Sequence, residues 1–129
     1  MEINLFENID YYHDRLWIVK EALNSAYSLS FPTTVKKYLN KIDVYTNFGG
    51  CKFYKNDSVY CYCLEDEIIV SKQEFYECLE KACDRFTKLH PQKKDELITV
   101  IADFYFSSPE RRKATLPSIG LAKKRFYLL

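Results

Sequence analysis

The chain has 129 residues and a mass of 15.3 kDa, with 47% apolar and 29% charged residues, a balance that excludes a disordered tail and fits one globular domain over residues 1–129. Nineteen Lys and Arg against eighteen Asp and Glu leave a formal charge of +1 and a pI near 7.6, without the basic excess usual in nucleic-acid binders. The longest apolar run, the six residues from Val59 to Leu64, is too short for a bilayer-spanning helix.

From Asn8 to about Ser28, Ile9, Tyr12, Leu16, Val19, Leu23 and Ala26 recur at steps of three and four, which predicts an amphipathic helix. Phe31-Pro32 interrupts it. A short second helix follows, with Pro32 in its first turn and Val35, Tyr38, Leu39 and Ile42 facing inward. Asn47-Phe48-Gly49-Gly50 reads as a loop, after which the period becomes two. Cys51–Lys55 and Val59–Cys63 then form a hairpin about Asn56-Asp57-Ser58, and Glu65-Asp66 turns into Ile68–Val70. The result is a three-stranded antiparallel meander, four-stranded if Asp43–Thr46 adds a strand. Ser71-Lys72-Gln73-Glu74 is a capping box, followed by a helical stripe of Phe75, Cys78, Leu79, Ala82, Cys83, Phe86 and Leu89. His90-Pro91 ends that helix. Another is expected from Gln92 to Tyr105, burying Leu97, Ile98, Ile101 and Phe104, and Ser108-Pro109-Glu110 starts a further one. Ser118–Leu129 fits a helix or an end strand, with helix favoured. The fold class is α+β, helix-rich, with the meander flanked by helices.

The five cysteines are an odd number on apolar positions. Cys61 and Cys63 share one strand face with Cys51 beside them, but Cys78 and Cys83 stand about 140° apart around a helix and cannot share one ion. Core filling is therefore expected, with no metal and no cofactor. A start at Met1-Glu2-Ile3-Asn4 without a basic flank or an apolar stretch leaves a secretory signal peptide unsupported, and with the unpaired thiols this points to a reducing cytoplasm. No membrane partner is expected, given the short apolar runs. Three scattered glycines cannot write a phosphate-binding loop. His13, with Asp10 three residues before it, has the composition of a general base, yet no nucleophile or oxyanion loop accompanies it. His90 suits a helix C-terminus. No enzyme is expected.

Charge is divided along the chain. Residues 107–129 hold six Lys and Arg against one acid, a net of +5, so the first 106 carry −4. Lys123, Lys124 and Arg125 beside Phe126 and Tyr127 could hold phosphates and stack bases, or dock on this chain's own acidic surface, the favoured reading. Glu65, Asp66 and Glu67 precede the capped helix, and Glu74 lies on its outer face, so together they offer an acidic rim to a basic partner. Alternation puts Tyr54, Tyr60 and Tyr62 on the sheet face away from Phe53, Val59 and Cys61, and tyrosine is enriched in binding hot spots. That face is either open for a partner or covered by the C-terminal segment.

A small, motif-free α+β chain with an acidic and aromatic surface resembles the immunity proteins of bacterial toxin–immunity systems, above all those of contact-dependent growth inhibition. The resemblance implies a stoichiometric inhibitor of a cognate toxin domain, often a nuclease, that blocks its active site or an adjacent surface. It transfers no residue roles. The expected interface, Tyr54, Tyr60, Tyr62, Glu65, Asp66, Glu67 and Glu74, comes from the residues alone; the alternative is a small nucleic-acid-associated regulator using Lys123, Lys124 and Arg125.

Overall fold

Two aspartates decide where the first helix begins. In the computed structural model, which describes residues 3–107, Asp10 Oδ1 accepts hydrogen bonds from the backbone N–H groups of Tyr12 and His13, both at 3.0 Å, and Asp14 Oδ1 accepts from that of Leu16, also at 3.0 Å. Such local capture holds the backbone in turns, and Asn8, at a φ of 57°, bends it further from a helical path. Helix α1 therefore spans only Trp17–Ser25, well after Asn8, where the apolar periodicity begins. Tyr12, expected on its inner face, is 95% exposed.

Helix α2 spans Phe31–Leu39 with proline in its first turn, as its fixed φ favours. Phe31, expected to lie in the break, is its first residue and fully buried. Val35, Tyr38 and Leu39 face inward as predicted, whereas Ile42 is exposed. The helix has already ended there, and Lys41 takes a left-handed φ of 57°.

Four strands follow: β1 Val44–Tyr45, β2 Gly49–Phe53, β3 Ser58–Cys63 and β4 Asp66–Ser71. They pair antiparallel in the order β1-β2-β3-β4, so Asp43–Thr46 does contribute a strand. Gly49 and Gly50, expected in the loop, open β2 instead. At Gly49 a β-carbon would stand 2.8 Å from the Tyr62 carbonyl oxygen and 3.4 Å from the Ala22 Cα. Its absence lets α1 lie close across the sheet.

Ser71 closes β4 and caps α3, Lys72–Leu89, through the predicted reciprocal pair. Its Oγ accepts from the Glu74 N–H, and Glu74 Oε1 accepts from the Ser71 N–H, both at 3.1 Å. The stripe from Phe75 to Phe86 is buried, and Tyr76, outside the predicted stripe, is buried with it. After a turn of 3-10 helix, Pro91–Lys93, α4 spans Lys94–Phe106. Leu97, Ile98 and Ile101 are buried as predicted, but Tyr105 is fully buried while Phe104 is only half-buried. Helix α1 crosses β2, β3 and β4, α3 touches β3 and β4, and α4 packs on α2 and α3. One core joins them, built round Tyr38, Phe53, Phe75 and Tyr76, whose neighbouring rings meet at centroid separations from 5.4 to 6.4 Å. The elements expected at Ser108-Pro109-Glu110 and over Ser118–Leu129 lie outside the described residues.

Candidate partner-binding surface

Antiparallel register sorts side chains into rows, because directly paired residues point to the same face. The pairs Val44–Cys51, Cys51–Cys61 and Cys61–Ile68 form an inner row toward the helices. On the outer face, one row runs Tyr45, Gly50, Tyr62, Glu67, and the next runs Lys52, Tyr60, Ile69. The register thus puts Tyr60 and Tyr62 on the outer face, with Tyr54 just beyond the end of β2.

The rings form a ladder. Tyr60 stacks on Tyr62 at a centroid separation of 6.1 Å and an interplanar angle of 27°, and Tyr62 meets Tyr45 at 6.4 Å. Lys52 Nζ stands 5.7 Å from the Tyr54 ring centroid, within range of a cation–π attraction. Gly50 makes the ladder possible. A β-carbon there would lie 2.9 Å from Tyr62 Cε1 and 2.4 Å from the Val44 carbonyl oxygen, so the Tyr62 ring occupies the space over a residue without a side chain.

Hydrogen bonds hold the rings in place. The Tyr60 hydroxyl donates to Glu67 Oε2 at 2.6 Å, and the Tyr45 hydroxyl to Asp43 Oδ2 at 3.1 Å. The bond to Glu67, with smaller contributions from desolvation and carboxylate charge, pushes the Tyr60 hydroxyl up to about 12. Despite these contacts, Tyr45 is 59% and Ile69 60% exposed, and among the described residues the helices pack on the other face. An apolar row with fixed rotamers loses little entropy on binding, which is what a hot spot needs.

The carboxylates divide into two groups. Glu65, Asp66 and Glu67 are exposed at the β3–β4 turn, with Glu67 beside the tyrosines. Glu74 sits beyond the other end of β4, about 16 Å of strand away. There it forms the cap with Ser71 and an ion pair with Arg15. The backbone hydrogen bond from Ser71 and, secondarily, the Arg15 guanidinium hold its carboxyl below the ordinary range. The fold thus gathers Tyr60, Tyr62 and Glu67 near the turn acids, leaves Tyr54 at the opposite end of the sheet beside Ser58, and places Glu74 beyond that same far end of β4. It also adds Tyr45 and Ile69, which the sequence reading left out; Ile69, alternating with Ile68 and Val70, carried a readable signal.

Other candidates resolve simply. Cys51 and Cys61 face each other across the strands at an Sγ–Sγ distance of 3.6 Å; they, Cys78 and Cys83 are buried, and Cys63 is half-buried. Burial pushes the Cys78 thiol up to about 11, so it remains protonated and unreactive. Among the described residues no group of three or more His, Cys, Asp or Glu is placed to hold a metal ion. His13 and Asp10 are hydrogen bonded at 2.9 Å on an open surface. His90 bonds through Nε2 to the Tyr27 hydroxyl at 2.5 Å. Lys123, Lys124 and Arg125 lie outside the described residues, as does the terminal segment that could cover the tyrosines. No helix among the described residues is long and apolar enough to cross a membrane.

A family model described as CDI immunity protein matches residues 15–101, two thirds of the chain, from just before α1 to within α4. No curated protein matches the chain.

Proposed function

We propose that this chain, which belongs to the family of contact-dependent growth inhibition immunity proteins, neutralises its toxin by forming a stoichiometric complex in the cytoplasm, through the outer face of the β-sheet. The observation that carries this reading is the tyrosine ladder Tyr45–Tyr62–Tyr60, in which half-buried Tyr60 and Tyr62 lie between exposed Tyr45 and Ile69, edged by Glu65, Asp66 and Glu67. The aromatic rows supply apolar area already in its bound conformation, and the carboxylates steer a basic surface toward it. A nuclease domain, whose substrate is a polyanion, would present such a surface. Inhibition would follow from occupancy of the active site or its approach.

The test is to purify the chain with the toxin domain encoded by the adjacent gene in its native host, then titrate the two by calorimetry. A 1:1 complex is expected, with Tyr62→Ala and Tyr60→Ala each weakening it by about 2 kcal/mol, roughly thirty-fold. Loss of protection against the toxin in growing cells should accompany the weakening. If both variants bind as the natural protein does, the sheet face is not the interface. If the natural protein does not bind the toxin at all, complex formation is the wrong mechanism.

A further inference from the structure

Behind the β3–β4 turn, on the side opposite the tyrosines, lies a cleft of about 620 Å³ between residues 3–4, the C-terminal half of α1 and the two neighbouring loops. Its rim is apolar and open. Phe48 is 66% and Leu64 70% exposed, with Ile3 across from them. Its wall is polar, and Glu21 is the one charged side chain among its lining residues.

The rim is built rather than incidental. The Leu64 N–H donates to the Phe48 carbonyl at 2.9 Å, which ties the tips of the two loops together. Thr46 Oγ1 accepts from the N–H groups of Phe48 and Gly49 at 3.3 and 3.0 Å, fixing the first loop. Leu64 opens the two-residue loop between β3 and β4 at a φ of 55°, the position and backbone region where glycine is normally preferred. A large exposed side chain in that conformation is local backbone strain, a pattern concentrated at binding sites. On the wall, Asn24 Nδ2 donates to the Phe6 carbonyl and to Glu21 Oε1, both at 3.0 Å, and Asn24 Oδ1 accepts from the Phe6 N–H at 2.9 Å. The cleft is therefore braced on both sides.

Its charge is one-sided. Glu21 within it and Asp66 at its edge add to burial in raising the Cys63 thiol, so negative potential reaches the floor of the cleft. We infer that this cleft is a second contact site for the toxin, on the other side of the β3–β4 turn from the sheet face, and that it receives a loop of the same toxin domain bearing an apolar side chain beside an arginine or lysine. The apolar group would seat between Phe48 and Leu64, and the cation would reach the Glu21 carboxylate. The acidic turn then forms the ridge between the two contact areas, and the toxin would straddle it.

This inference rests on the toxin-neutralising reading, and one titration series separates the two. The purified toxin domain is titrated against the natural protein, the double variant Phe48→Ala/Leu64→Ala, Glu21→Lys and the sheet-face variant Tyr62→Ala. The double variant is expected to raise Kd at least a hundred-fold. Glu21→Lys should raise it at least ten-fold and flatten its dependence on salt, since it removes the charge attraction. Phe48 and Leu64 are mostly solvent-exposed, and circular dichroism checks that the double variant folds; if it does not, Glu21→Lys decides alone. Cleft variants binding within two-fold of the natural protein, while Tyr62→Ala weakens binding, would overturn the inference and leave the toxin reading intact. A natural protein that does not bind would overturn both.

Discussion

Replacing Tyr38 by Phe should make the protein more stable. Tyr38 is fully buried, and its hydroxyl is the one buried side-chain polar atom without a hydrogen-bond partner among the described residues. Burial raises that hydroxyl well above its ordinary range, consistent with a site that offers no stabilisation to charge. A buried hydroxyl without a partner costs about 1–3 kcal/mol. Removing a single oxygen leaves the ring contacts with Phe53 and Phe75 in place and opens a void too small to offset that gain. A stabilisation of about 1 kcal/mol is expected. Tyr76→Phe is the matched control, because the Tyr76 hydroxyl donates to the Tyr38 carbonyl at 2.9 Å. That carbonyl also accepts from the Lys41 N–H at 3.1 Å, so it keeps a partner, and the loss should be an ordinary net hydrogen bond of about 1 kcal/mol. Urea unfolding measures both, with m unchanged as the condition for comparison. Opposite signs are predicted. A Tyr38→Phe protein less stable than the natural one by 1 kcal/mol or more would refute the account of this core.

Three other outcomes follow from the same geometry. Gly50→Ala must move both the Val44 backbone and the Tyr62 ring, so it should cost about 2 kcal/mol and speed amide exchange in β1; unchanged stability and exchange would refute the close approach at this glycine. Glu67→Ala removes both the hydrogen-bond acceptor and the charge that raise the Tyr60 ionisation, which should fall from about 12 toward the ordinary tyrosine value, as read from the Tyr60 Cζ chemical shift on alkaline titration. The depressed Glu74 carboxyl contributes stability that is complete above the pH where an unfolded Glu ionises and fades as pH falls through its lower folded-state value. The difference in urea midpoint between the natural protein and Glu74→Gln should therefore be large at pH 7 and small at pH 2; an equal difference at both would show that the cap does not depend on charge.

The elements legible in the sequence were those with local causes. Ser71 and Glu74 satisfy each other's backbone three residues apart, and Phe75, Cys78, Leu79 and Ala82 mark a helix face whatever else the chain does. The hairpin strands announced themselves because Val59 and Cys61 alternate with Tyr60 and Tyr62, and that alternation also put two of the tyrosines on one face. The start of α1 was misread because the apolar spacing from Ile9 onward satisfies a helix, while the competing bonds of Asp10 and Asp14 depend on atomic geometry that spacing does not encode.

Of the candidate surface, Tyr60 and Tyr62 and the sign of its rim were in the sequence, whereas Tyr45 was not. Nor was their assembly. Gly49 and Gly50 look like any loop pair until α1 approaches one and the Tyr62 ring covers the other. Glu74 stands close to Glu67 along the chain, yet the length of β4 separates them. Phe48 and Leu64, sixteen positions apart, meet only because the register joins the Phe48 carbonyl to the Leu64 N–H. Local hydrogen bonding and hydrophobic period act within a few residues and can be read from a string. Which exposed groups converge on one surface depends on strand register and helix placement, which distant residues settle together through packing.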